Sequence, residues 1–470
     1  MKTADKTQPF LNVRERIVGL DTKVPLLSGV ERPYIFLDNA ASTPVLKEVL
    51  QTLNDFMPWY SSIHRGSGFK SQIATEAYEQ ARRTVARFFG ANEREHIVIF
   101  GKNTTEAINK LSYRLELTKK DIVLVGLTEH HSNDLPWRRA AQVKHIRVDD
   151  LGRLQLSSLE QLLDQYRGRV KLVAISGGSN VTGYLPDIHQ IAKMAHAAGA
   201  QILVDCAQLA PHRAIDIKNL DNPEHFDFIS VSAHKLYAPF GSGALIGRKD
   251  VFERGAPELC GGGTIDLVTE NSIEWTAPPD RDEAGSPNVV GAVTFAKALD
   301  CLTSIGMDKI AEHESQLTTY ALRKLSQIDG LKLYGQTDPA TAANRLGVIT
   351  FNLGDMPHGL VAAILSAEWG IGVRDGCFCA HPYVTHLMRV SKTQIEDFGS
   401  EVIQGDRRHM PGMVRISFGI YNTTAEIDIL ADALEQIAAG AYEGHYRQDK
   451  STGEYHADGW QRDLSQYFSL

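Results

Sequence analysis

No apolar run of about 18 residues occurs anywhere in the chain, and Met1 to Leu20 is polar, so neither a membrane-spanning helix nor a secretory signal is expected. Cysteine is scarce. The five residues Cys206, Cys260, Cys301, Cys377 and Cys379 are too few, and odd in number, for a disulfide framework, which fits a reducing compartment; a cytoplasmic location is expected. Only Cys377 and Cys379 are neighbours, and no second Cys or His pair stands at zinc-site spacing, so no metal is expected. Basic blocks are missing as well: the net charge is −8, which argues against a nucleic-acid partner. Internal repeats and low-complexity tracts are absent. At 470 residues the chain exceeds one ordinary core, so two structural domains are expected.

What is present is a regular alternation. Ile97–Phe100, Ile122–Val125, Leu172–Ile175, Ile202–Val204 and Phe228–Val231 read as short buried strands, and Thr104–Leu117 and Ile188–Ala198 as helices between them. That pattern gives βαβ units and a mostly parallel sheet covered by helices. Val289 to Ile305 reads as a linking helix, after which strand candidates Leu346–Asn352, Ile371–Arg374 and Met413–Phe418 mark a smaller α+β half. In the last helix Ile427, Leu430, Leu434 and Ile437 share one face, with Thr424 as its cap. The fold class is therefore α/β, divided into an N-terminal segment (1–33) packing on the small domain, a large domain (34–300), a small domain (301–440) and a polar tail with scattered aromatics (441–470).

Two strand ends carry the chemistry. Lys235, in Ser232-Ala233-His234-Lys235, and Asp205, in Val204-Asp205-Cys206, are the pair that a pyridoxal phosphate site needs: an amine to bond the aldehyde and a carboxylate to keep the ring nitrogen protonated. In open α/β sheets, ligands collect at such carboxyl ends. Asn103-Thr104-Thr105-Glu106 offers a helix start for the phosphate, and Ser232 and His234 two further contacts. His130 follows another strand and is placed to stack on the ring and act as acid or base. Gln208 and Asn180 end strands on the same edge.

With those residues in place the chain resembles the class V aminotransferase-fold pyridoxal phosphate enzymes, and within them the cysteine desulfurases and selenocysteine lyases. The resemblance runs from Tyr34 to Ala438 and rests on Leu37-Asp38-Asn39-Ala40-Ala41-Ser42, His64-Arg65-Gly66, Thr104-Thr105-Glu106, Glu129-His130-His131, Ser179-Asn180, Asp205-x-Ala207-Gln208, Ser232-x-His234-Lys235, Gly261-Gly262-Gly263 and Glu283-Ala284-Gly285-Ser286-Pro287-Asn288. It implies fold type I, the aspartate aminotransferase-like architecture. It also implies Lys235 as the Schiff-base lysine, Asp205 on the pyridine nitrogen, Gln208 on the phenolic oxygen and His130 on the ring face. Thr105, Ser232 and His234 would hold the phosphate, with Ser286 reaching it from a second subunit of a homodimer.

The segment Gly372-Val373-Arg374-Asp375-Gly376-Cys377-Phe378-Cys379-Ala380-His381-Pro382 resembles the desulfurase nucleophile loop, with Cys379 in the nucleophile position. Arg415 aligns with the arginine that grips the substrate carboxylate. Phe378 replaces the His of the common desulfurases, and 35 residues separate Cys379 from Arg415; both departures resemble the desulfurase domain of molybdenum cofactor sulfurases. No second sulfur-accepting domain is expected to follow, which implies a stand-alone sulfur donor.

The expected reaction takes L-cysteine to alanine and leaves a persulfide on Cys379, for delivery to an acceptor protein or small molecule, with selenocysteine as a possible substrate. Arg374 and His381 are expected to favour the Cys379 thiolate, and Cys377 stays open as resolving thiol, spectator or nucleophile. A C–S lyase acting through Lys235 and Asp205 alone, and an aminotransferase or epimerase of the same fold, are the alternatives. The insertion 380–414 is expected to form a lid or docking surface.

Overall fold

The computed structural model describes residues 12–64, 66–460 and 462–470. Arg65 of the His64-Arg65-Gly66 motif and the first eleven residues of the N-terminal segment lie outside the described residues. We number the strands of the two main sheets in chain order. The large sheet holds β1 (His96–Gly101), β2 (Ile122–Gly126), β3 (Gln142–Ile146), β4 (Val170–Ser176), β5 (Gln201–Asp205), β6 (Phe228–Ser232) and β7 (Gly243–Arg248). Their spatial order is β1-β7-β6-β5-β4-β2-β3. The run from β3 to β6 is parallel, whereas β7 is antiparallel to both β6 and β1.

These strands are continuous apolar runs because both faces of the sheet are covered. Along β1, Val98 and Phe100 enter one core with Ile122, Ile175, Val204 and Val231, whereas Ile97 and Ile99 enter the core on the opposite face with Val123, Leu203 and Leu245. Each such side chain contributes about 1.5–3 kcal/mol on burial. Thr104–Arg114 closes one face through Ala107, Ile108 and Leu111. Lys47–Phe56, Phe69–Phe88 and Val289–Ile305 pack together on the other. The sequence marked Val289–Ile305 as a linking helix; its Phe295, Leu299 and Leu302 are instead buried in the large core. The link proper is Gly306, after which Met307–Leu325 turns by 75°. Along that helix Ile310 belongs to the first core and Leu317 onward to the second.

The second sheet is wholly antiparallel: β8 (Leu331–Leu333), β9 (Val348–Leu353), β10 (Arg374–Gly376) and β11 (Met413–Ser417), in the order β8-β9-β11-β10. His358–Trp369 and Thr424–Ala438 cover it, with Ile364, Leu365, Leu430 and Leu434 against Phe351 and Ile416. Thr423, not Thr424, caps the last helix: its N–H donates to Glu426 Oε2 at 3.0 Å. Near the N-terminus, Val13, Ile17 and Leu20 pack in the large core, while Arg14 reaches across to Glu426 at 2.7 Å. In the tail, a hairpin of Tyr446–Gln448 and Tyr455–Ala457 lies on the small domain, where Tyr446 Oη donates to Glu368 at 2.8 Å. It also meets the insertion, since Arg407 N donates to Lys450 O at 2.9 Å. The insertion itself forms His381–Leu387 and Lys392–Ile403, the second with no buried residue. Among the described residues no single helix is long and apolar enough to cross a membrane.

Candidate active site

Five carboxyl ends of the large sheet (β1, β2, β4, β5 and β6) open into one cavity of about 280 Å³. Thr104, Thr105, His130, Asn180, Asp205, Gln208, Ser232, His234, Lys235, Arg374, Cys379 and Arg415 all line it, as the sequence reading required. Ser286 does not: it is exposed and stands outside the cavity of its own chain.

Lys235 follows β6 in a single 3₁₀ turn, Ala233–Lys235. Burial pushes its amine down to about 8, opposed by Asp205 and helped by Arg415. Asp205 ends β5, where burial raises its carboxyl; the Ala207 N–H, 2.9 Å from Oδ1, and the Lys235 amine pull the other way. His130 is held down to about 4 by burial and by the charge of Lys235. Its Nδ1 accepts the Ser132 backbone N–H at 3.1 Å, so a neutral imidazole here carries its proton on Nε2. Behind it sits Glu129, a buried carboxyl pushed up to about 7 by desolvation and held by Ser176 Oγ and Asn133 Nδ2, both at 2.7 Å.

The helix start after β1 is built for an anion. Asn103 caps Thr104–Arg114 by accepting from Glu106 N at 3.0 Å, an arrangement that contributes about 1 kcal/mol. Gly243 lets this turn approach β7: a Cβ there would stand 2.7 Å from Asn103 Cα. Thr104 N donates to Ser232 Oγ at 2.9 Å, whereas the Thr104 hydroxyl is buried with no partner. That orphaned hydroxyl at a helix N-terminus, beside Ser232 and His234, fits a phosphate. With a lowered lysine and a buried aspartate across the cavity, the donor set fits pyridoxal phosphate.

Several contacts differ from the sequence reading. Asn180 gives its Nδ2 to the Phe378 carbonyl at 2.7 Å, and Gln208 gives its Nε2 to Ala40 O at 2.6 Å. Phe378, the residue that replaces His, puts its ring 4.9 Å from the Arg415 guanidinium. Cys379 is exposed on the cavity wall, with φ +55° after Phe378 at +50°, and its carbonyl accepts His131 N at 2.7 Å. Cys377 is buried away from the cavity, its Sγ donating to Pro411 O at 3.0 Å and its thiol pushed up to about 12 by burial. His381, expected to favour the thiolate as a cation, has its pKa lowered by burial and stacks on His131 with ring centroids 4.9 Å apart. Burial thus disfavours the cation that would favour the thiolate. Asp38, part of a sequence motif but given no role there, has its Oδ1 2.8 Å from Arg415.

The model of the Aminotransferase class-V family matches residues 35–430. The chain belongs to that family. Cysteine desulfurase of Haloferax volcanii is 34% identical over 433 residues, covering 90% of this chain and 94% of that protein. Cysteine desulfurase of Dickeya dadantii is 36% identical over 416 residues, 86% and 92% of the two chains. Among solved structures, the apo cysteine desulfurase of Thermococcus onnurineus superposes with TM-score 0.76 at 31% identity, covering 87% of this chain and 95% of that one. The Escherichia coli cysteine desulfurase CsdA, in an S-sulfonic acid form, gives 0.75 at 26% identity, covering 92% and 99%. These neighbours share the large, mostly parallel α/β sheet.

Proposed function

We infer that this class V enzyme is a cysteine desulfurase, which takes L-cysteine to L-alanine and keeps the sulfur on Cys379 as a persulfide. The observation that carries it is the meeting of Lys235, Asp205, Arg415 and Cys379 in a single cavity. When bound, pyridoxal phosphate would supply a ring that accepts the electrons left when the substrate α-proton departs. Thr104, Thr105, Ser232 and His234 are the residues that would hold its phosphate, and Asp205 its ring nitrogen.

Arg415 receives the substrate carboxylate through a guanidinium that lies over the Phe378 ring, 4.9 Å from its centroid. The Lys235 amine, near 8, has a neutral fraction at pH 7 that can take the α-proton. The Cys379 thiolate then attacks the substrate sulfur: a sulfur–sulfur bond forms, the carbon–sulfur bond breaks, and the carbon side picks up protons to leave as alanine. The Lys235 ammonium formed when the amine takes the α-proton is the group that can return a proton to the carbon side, whereas neutral His130 offers its Nε2–H on the cavity wall as a hydrogen-bond donor.

A homodimer belongs to this reading, because exposed Ser286 would complete the phosphate site of a second copy. Selenocysteine fits the same groups, and an acceptor protein or small molecule would collect the sulfur. The deciding experiment follows alanine and sulfide released from L-cysteine with dithiothreitol, in wild type and Cys379→Ala. Loss of both products in the variant supports the persulfide route. Undiminished turnover would assign the chemistry to a C–S lyase.

A further inference from the structure

Arg415 sits on β11, a strand buried throughout. One of its terminal nitrogens donates to Asp38 Oδ1 at 2.8 Å and the other to the Asn180 carbonyl at 3.1 Å. Its Nε–H is buried and has no partner. A planar guanidinium takes a carboxylate through two parallel N–H bonds, and an unmade bond on a buried donor is costly. The fork is therefore half filled.

Asp38 is not committed to Arg415 alone. Its second oxygen stands 3.9 Å from Arg374, whose side chain is 59% exposed, against 3% for Arg415. Two guanidiniums thus share one carboxylate, and these three groups together keep one positive charge at the cavity. That charge suits one further carboxylate.

We propose that Asp38 is a place-holder for the substrate: it occupies Arg415 while no amino acid is bound, and gives up that contact to the incoming α-carboxylate while staying with Arg374. The inference rests on the amino-acid reading of the cavity and names a positioning residue within it. Asp38 also sets specificity. An amine without a carboxylate has nothing to exchange for Asp38, so it leaves Arg415 engaged and gains none of its binding.

The test is calorimetric titration of the holoprotein with L-alanine, a ligand whose binding does not need Cys379. Asp38→Asn removes the competing charge at constant shape, and alanine is expected to bind about tenfold tighter, the equivalent of one charge-assisted hydrogen bond. Arg374→Gln takes away the alternative partner, so Asp38 grips Arg415 harder and alanine binds more weakly. Damage to the fold would not tighten binding. Unchanged or weaker alanine binding in Asp38→Asn would overturn the proposal and make Asp38 a fixed anchor. If that variant does not fold, unaltered binding in Arg374→Gln overturns it equally. A failure of the desulfurase reading appears separately, in the products of Cys379→Ala.

Discussion

Asn180 ties the nucleophile loop to the large sheet: its Nδ2 donates to the Phe378 carbonyl at 2.7 Å, one residue before Cys379. Asn180, four residues beyond the end of β4 at Ser176, thus reaches a loop of the small domain. Asn180→Ala should release it. We expect kcat/KM for L-cysteine to fall about tenfold or more, the loss of one buried hydrogen bond, and the amides of His131 and Ala380, which donate to Cys379 O and Cys377 O, to exchange faster with deuterium. Unaltered exchange in a poorly active variant would count against this tether.

Cys377 and Cys379 are two residues apart, yet the first is buried and the second is exposed. Cys379→Ala is expected to abolish sulfide and alanine release. Cys377→Ala should keep turnover within about threefold and lower stability by about 1 kcal/mol, the small cavity left in a buried site. Product assays and thermal melts on both variants check the pair.

The Lys235 amine, lowered to about 8 by burial, sets a pH window. Only the neutral amine adds to an aldehyde. Reconstitution of the apoprotein with pyridoxal phosphate, followed by absorbance, should therefore quicken as pH rises from 7 to 9, with its midpoint near 8. A midpoint close to that of free lysine would show that the pocket does not tune the amine.

At the opposite edge of the sheet, His196 Nε2 lies 2.9 Å from Asp227, and His196 Nδ1 faces the Pro223 carbonyl at 2.8 Å. Both nitrogens face acceptors. Although burial lowers it, these bonds raise the His196 pKa above its ordinary value, and the bonds from His196 and His225 hold Asp227 well below the usual carboxylate range. The raised histidine adds stability that is complete below about pH 6.5 and is lost as pH rises through its folded pKa. The depressed aspartate adds stability that is present above about pH 4 and is lost in acid. His196→Asn should thus cost most near pH 5 to 6, about 1–2 kcal/mol, and progressively less above pH 7 in thermal melts. A penalty that does not vary with pH would show that the contact is not ionic.

How much of this was legible depends on where each signal lies in the chain. Ile122–Val125, Leu172–Ile175 and Phe228–Val231 are strands covered on both faces, so their composition alone announces them. Lys235 and Asp205 end such strands, and their chemistry made them readable. Arg374-Asp375-Gly376 gives no such signal, because β10 is a short polar strand recruited by pairing with β11. Asp38 meets Arg415 across 377 residues, and no local pattern encodes that. The opposite fates of Cys377 and Cys379 follow from the left-handed backbone at Phe378 and Cys379, which neither residue type favours. The cap of the last helix missed by one residue for a simpler reason: Thr423 and Thr424 are both good caps, and only the Glu426 contact separates them.

The strand order has a consequence for synthesis. β1 is an edge strand whose only neighbour among the described residues is β7, with Gly101 opposite Gly243. A ribosome adding about 5–20 residues per second needs roughly seven to thirty seconds to travel from one to the other. Throughout that time Ile97, Val98, Ile99 and Phe100 wait without their partner strand while the parallel strands that will form the middle of the sheet emerge after them. The nascent chain is therefore most exposed to aggregation before Gly243–Arg248 appears, and a holdase or a translational pause serves it best in that interval.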